Sequence, residues 1–163
     1  MLSKKIEGAL NAQVNAEFWS SYLYYAMSVH FAQAGLSGFA RWFKVQADEE
    51  REHAEKFVDF IIERGGKVDL KPIAKVSQSW KSPLAAFEDT LKHEQEVTKL
   101  INDLVAAARA ENDYATEAFL TWFVSEQVEE ESTAQGYVDA LKFIGEEKVG
   151  VYLLNKELGA RKD

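Results

Sequence analysis

The feature that most constrains this chain is a helical rhythm and the way it breaks. Phe39, Phe43, Gln46, Glu50, His53, Phe57 and Phe60 recur at alternating steps of four and three, which is the spacing of one face of an α-helix. That face is apolar at both ends and carries a carboxylate and an imidazole in its middle. A buried carboxylate without a partner is costly. Glu50 and His53 point the same way, as two ligands of one metal centre do. Taken alone, Glu-x-x-His is common on exposed helices as a weak pair, so its weight depends on what the other segments carry.

They carry matching interruptions. A first helix, capped by Ser3 and running to about Gln33, has the stripe Leu10, Val14, Glu17, Ser21, Tyr24. Gly35 breaks it, and Ser37 is the expected cap of the second helix, which reaches about Arg64 before the Gly65-Gly66 stop. Ser82 and Pro83 open a third helix with the stripe Leu84, Phe87, Leu91, Glu94, Thr98, Ile101, Val105, Ala108. Proline at the first helical position forfeits no hydrogen bond. Asn112 and Asp113 turn the chain into a fourth helix, about Tyr114 to Ile144, with the stripe Leu120, Phe123, Gln127, Glu130, Ala134, Tyr137, Leu141, Ile144. After Gly145, an apolar-rich segment over about 147–158 predicts a short fifth helix. One apolar side on so short a helix does not sustain it in water. It must dock on something, and the glycine lets it turn away from its own bundle.

The connections set the topology. The turns at 35–36 and 111–113 are short, so the first two helices pair antiparallel, as do the third and fourth. Residues 66–81 read as an extended connection. Helices of this size are roughly 40 Å long at about 1.5 Å per residue. The extended segment reaches roughly 50 Å at about 3.3 Å per residue. It can run the length of the bundle and make helices two and three parallel. The expected fold is all-α: one domain over 1–163, with a four-helix bundle over about 3–144 and one long crossover.

Composition narrows the chemistry. Apolar residues make up 47% of the 163 and aromatic ones 12%, enough for a packed core. The formal charge of −8 suits cations and disfavours nucleic acid. No cysteine is present, which excludes disulfides, thiolate metal sites and thiol nucleophiles. No apolar run is long enough to span a bilayer, and the first residues lack a signal-peptide core. A cytoplasmic protein without a membrane partner is expected.

Mid-helix positions on inward faces meet at one level of a bundle. Carboxylates converging there repel and raise one another's pKa, and multivalent cations neutralise them. Carboxylates with one imidazole suit iron or manganese, and a shared carboxylate makes a dinuclear centre. The competing reading is a buried polar network that fixes helix register. One interruption favours it; four at the same depth do not.

Glu17, Glu50-x-x-His53, Glu94 and Glu126-Gln127-x-Glu129-Glu130 resemble the ferroxidase centre of the ferritin family, on its bacterial non-haem branch. The resemblance covers the whole chain. The general di-iron pattern has two Glu-x-x-His motifs, whereas here Gln127-x-x-Glu130 replaces the second, as in ferritins proper. The resemblance implies that Glu17, Glu50 and His53 hold a first iron, that Glu50 bridges, and that Glu94 and Glu130 hold a second. Gln127 would orient oxygen or water. Tyr24 reads either as a hydrogen-bond partner or electron donor of the site, or as a core tyrosine. Glu49, Glu126 and Glu129 sit about 100° around the helix from site positions. The family implies a third iron site there, sharing Glu130, against the plain alternative of a solvated acidic face. It also implies Fe(II) oxidation by O2 or H2O2 and a hollow 24-subunit shell, with the fifth helix at its four-fold axes.

Three other readings compete. A haem-containing bacterioferritin needs an axial methionine near position 52, which is Glu52; Met1 and Met27 are the only methionines. A DNA-protecting miniferritin typically lacks the fifth helix and often has a basic tail, of which Lys4-Lys5 is little. A metal-free helical bundle acting as a binding module would explain the helices but not the four carboxylates. His30 and His93 have no metal-ligand partner on their own faces. Trp122 reads as packing, with its closeness in sequence to Gln127 leaving a redox role open. Glu117 could line an access channel, though Leu120 offers it no carboxylate companion.

Overall fold

The computed structural model describes residues 1–163. Five helices follow in order: α1 (Lys4–Gln33), α2 (Ser37–Glu63), α3 (Pro83–Ala110), α4 (Tyr114–Ile144) and α5 (Lys148–Gly159). Three N-termini are capped as their sequences demand. Ser3 Oγ accepts from Ile6 N, Ser82 Oγ from Ala85 N, and the Asp113 carboxylate from Thr116 N. Gly35, Gly65 and Gly145 all take positive φ at helix ends, where a Cβ would be strained. No helix is long and apolar enough to cross a membrane.

The crossover is extended, as its composition suggests, and it is tied to α1. Lys67 N donates to Glu7 Oε2, Asp69 N to Asn11 Oδ1, and Lys71 N to Asn15 Oδ1, while the same two asparagines donate back to Lys67 O and Asp69 O. Glu7, Asn11 and Asn15 stand one helical turn apart, so they form a ladder of side chains that replaces a sheet partner for this backbone. The segment ascends α1 to Trp80, whose ring meets His30 with centroids 5.5 Å apart. It therefore delivers α3 to the end at which α2 begins, and α2 and α3 run parallel.

Two expectations need correction. Ser37 does not cap α2: Leu36 occupies the cap position and no nearby side chain serves it. The cap comes from α5, where Asn155 Oδ1 accepts from Gly38 N at 2.8 Å and Phe39 N at 3.1 Å. The fifth helix also does not turn away from its own bundle. It docks on α2, with Leu154 and Leu158 buried among Phe39, Trp42 and Phe43 in one apolar cluster. The reason is the open end of α2: its unpaired N–H groups need an acceptor, and the short helix needs an apolar floor.

The core is not continuous. One cluster gathers at the end holding Met27, Phe31, Phe39 and Phe87. A second gathers at the other end around Leu10, Phe57, Ile101 and Phe123. Between them lies a buried polar layer of Glu17, Ser20, Gln46, Glu50, His53, Glu94, Gln127 and Glu130.

Candidate metal centre

All four long helices contribute to the polar layer. Glu17 follows Val14 by three residues on α1, Glu50 and His53 lie between Phe43 and Phe57 on α2, Glu94 precedes Val97 by three on α3, and Gln127 and Glu130 follow Phe123 on α4. Periodicity makes these positions face inward whether or not they are apolar, and the apolar flanks above and below hold them there.

Glu50 is the hub. The carboxylates of Glu94, Glu17 and Glu130 all act on its charge, and His53 Nδ1 lies 3.1 Å from its Oε2. One ligand atom each from Glu17, Glu50 and His53 can be chosen so that all lie within 4.8 Å of one another. Gln13 Nε2 donates to Glu17 Oε1 at 2.7 Å. Glu17 Oε2 is buried with no hydrogen-bond partner, a costly state for a carboxylate oxygen and one that a bound cation relieves.

Glu94, 0% exposed, is clamped from two sides. The Tyr24 hydroxyl donates to its Oε1, and Gln127 Nε2 donates to its Oε2 at 3.1 Å. Gln127 also reaches Glu94 O and Thr98 Oγ1. Its amide N–H groups are thus engaged in holding Glu94, a different task from the orientation of oxygen or water that the family resemblance implied. Glu130 Oε2 accepts from Gln46 Nε2 at 2.6 Å.

The electrostatics are those of a crowded site. Burial, and after it Glu94, Glu17 and Glu130, pushes the Glu50 carboxyl well above its ordinary value. Burial raises Glu17 to about 7. Burial and then Glu94 raise Glu130 to about 8. Glu94 is raised by burial despite the bonds from Tyr24 and Gln127. Burial, and then Lys56, lowers His53 to about 4, so its ring is neutral and able to ligate. Burial and the Glu94 charge raise the Tyr24 phenol, which keeps it a donor.

The outer carboxylates gather beside this layer. Glu126 is half-buried, and its carboxyl is raised by burial, then by Glu129 and Glu49. Glu49 and Glu126 also act on Glu130, so the cluster adjoins the inner site through that residue. Glu129 is exposed.

The remaining candidates fall elsewhere. Trp122 is 43% exposed and does not pair with Gln127. Its ring meets His53 with centroids 5.3 Å apart, and Lys56 Nζ sits 3.5 Å over its face. His93 Nε2 lies 2.7 Å from Ser20 Oγ, and its ring packs on Trp19 and Tyr24. Glu117 accepts from Arg109 Nε at 2.6 Å. Sequence reasoning assigned no role to Gln46, Gln13, Thr98 or Arg161. Gln46 stood on the stripe, and Gln13 stands four before Glu17, so spacing could have found both. Nothing local marks Arg161, which reaches Glu49 from 112 residues away.

A helical bundle whose core is divided by converging carboxylates and one neutral imidazole is a metal-binding carboxylate bundle. Residues 7–144 match the family of ferritin-like domains. The chain is 47% identical to a bacterial non-heme ferritin of Bacteroides fragilis, over 99% of this chain and 100% of that one. It is 43% identical to a bacterial non-heme ferritin of Staphylococcus haemolyticus, over 99% and 97%. Among solved structures, an open pore ferritin from the archaeon Archaeoglobus fulgidus superposes with a TM-score of 0.98 at 48% identity, covering 99% of this chain and all of that one. The chain belongs to the ferritin family, and iron storage is the function that membership carries.

Proposed function

We propose that the polar layer is a ferroxidase centre that takes two Fe(II) ions as substrate. Glu17, Glu50 and His53 hold one, Glu94 and Glu130 the other, and Glu50, on whose charge Glu94, Glu17 and Glu130 all act, bridges them. The observation that carries this is the orphaned Glu17 Oε2, buried beside Glu50 and a neutral His53. A register-fixing polar network leaves no such atom.

Each Fe(II) gives up one electron, and O2 takes both with two protons to leave as H2O2, or H2O2 takes both with two protons to give two waters. This chain's own contribution is placement and charge. Tyr24 and Gln127 fix the two oxygens of Glu94, Gln13 fixes Glu17, and Gln46 fixes Glu130. The raised carboxyls surrender protons as metal arrives. The apolar clusters above and below the layer keep these groups poorly hydrated, which strengthens each charge interaction.

Glu49, Glu126 and Glu129, sharing Glu130, form a third, outer iron site through which ferric product leaves for a cavity. The cavity belongs to a shell of copies of this chain, a 24-mer as the family resemblance implies, in the cytoplasm. This reading includes no haem: position 52, where an axial methionine would be expected, carries the exposed Glu52, and Met27 is fully buried, its Sδ accepting from Thr90 Oγ1 at 3.6 Å.

Glu50→Ala tests the centre. Anaerobic Fe(II) titration of the folded variant should show loss of the tight pair of sites, and aerobic oxidation should lose its fast phase. Wild-type oxidation rates in that variant would sink the assignment.

A further inference from the structure

The outer carboxylates already have a cation. Past α5, Arg161 lies back along α2. Its Nη2 donates to Glu49 Oε2 at 2.7 Å, and its Nη1 donates to Gln46 Oε1 at 2.9 Å and Trp42 O at 3.2 Å. The guanidinium centre sits 4.6 Å from the Trp42 ring centroid. The segment is tied down on its other side, because Arg41 donates to Arg161 O and pairs with Asp163 at 2.6 Å.

The Gln46 contact has a second consequence. Arginine only donates, so Gln46 must present its carbonyl oxygen to Arg161 and its amide to Glu130. That is the orientation found, with Gln46 Nε2 2.6 Å from Glu130 Oε2. One guanidinium therefore holds an outer carboxylate directly and orients an inner one through a single amide. Lys56, the other cation acting on the cluster, touches Glu126 only through space.

We propose that Arg161 is a tethered cation standing in the outer carboxylate site: it holds Glu49 while the site is empty, and iron gains Glu49 only by displacing it. This rests on the outer-site reading given above. The device keeps the outer carboxylates from trapping iron. A divalent ion competes with a guanidinium whose effective concentration is set by the α5 anchor and does not dilute. Iron then dwells there weakly and moves on, and Arg161 returns as it leaves.

The test uses Zn(II), which has no redox chemistry, titrated calorimetrically into the assembled protein without iron, with anaerobic Fe(II) as a second probe. Arg161→Gln should tighten the third metal about tenfold, equivalent to roughly 1.4 kcal/mol, while the two inner metals remain bound. Glu49→Gln should weaken the third metal, and it should abolish the gain from Arg161→Gln when the two are combined. Unchanged or weaker third-metal binding in Arg161→Gln, with Glu49→Gln still weakening it, overturns the role of Arg161 and leaves the outer site standing. No effect of Glu49→Gln in either background removes the outer site and this inference with it. Arg161→Lys keeps the charge but not the planar fork, and should give a smaller gain. It carries the same test if Arg161→Gln fails to assemble.

Discussion

Replacing Glu130 by glutamine should stabilise the metal-free protein, and by an amount that depends on pH. In the folded chain, burial and the neighbouring Glu94 raise this carboxyl from 4.5 to about 8. In the unfolded chain it has its ordinary value. At pH 7 folding must therefore return a proton to a group that has already lost it. The 2.5 pH units between 4.5 and 7, at about 1.4 kcal/mol each, cap that penalty at roughly 3–4 kcal/mol. The sign is fixed by the direction of the shift. A carboxyl raised on folding favours the folded state below its unfolded value, and the advantage drains away as pH climbs toward the folded one. Glutamine carries no proton to lose, and its carbonyl oxygen can still accept from Gln46 Nε2, now 2.6 Å from Glu130.

The expected gain is about 2–3 kcal/mol at pH 7, or a rise in Tm of about 4–12 °C for a chain of this size, shrinking to nothing near pH 4.5. Thermal unfolding of the chelator-treated wild type and Glu130→Gln at several pH values measures it. Added Zn(II) should reverse the order, since the wild type gains a ligand oxygen that the variant lacks. A variant less stable than wild type at pH 7, or equally more stable at every pH, would refute the idea that Glu130 is a proton-holding member of a crowded apo site.

Two further outcomes follow from the same geometry. Metal uptake at the pair should strengthen from pH 6 to 8 and release protons, because Glu17 at about 7 and Glu130 at about 8 hold protons that metal displaces; calorimetry in buffers of different ionisation enthalpy reads the count, and zero release contradicts it. Gly38→Ala should lower stability by about 1–3 kcal/mol although Gly→Ala ordinarily helps a helix, because the new Cβ would fall 1.6 Å from the Asn155 carbonyl oxygen; unchanged protease resistance of α5 in that variant would show that the helix is not held as described.

What the sequence made legible was whatever repeats along one helix. The inward positions of Glu17, Glu50, His53, Glu94, Gln127 and Glu130 follow from periodicity, and all six are buried. The length and composition of 66–81 gave the crossover. What stayed hidden depends on residues far apart in the chain. The α2 cap is an example. Ser37 is the local candidate, but it lies one position inside the helix, and the acceptor that serves the free N–H groups is Asn155, 117 residues from Gly38. No window of sequence holds both. The same applies to Arg161, whose partners on α2 are more than 100 residues away. Gln127 shows a subtler case: its inward position was plain, but its use was not, because an amide takes its role from whichever acceptor is nearest, here Glu94.

The hidden contacts share a location. Asn155, Leu154, Leu158 and Arg161 all act on α2, between its first turn and Glu49. The fifth helix thus fastens the start of α2, and the residues just beyond it reach the carboxylates in the middle of that helix. Deleting 146–163 looks harmless if the segment is only an interface between subunits, since every inner ligand precedes it. The structure argues otherwise. The deletion would leave Gly38 N and Phe39 N without their acceptor, uncover apolar surface on Phe39 and Trp42, and free Gln46 from the guanidinium that sets its amide toward Glu130. Loss of the C-terminal segment should therefore disturb the geometry of the proposed iron site through α2 itself, independent of any contact it makes with other copies of the chain.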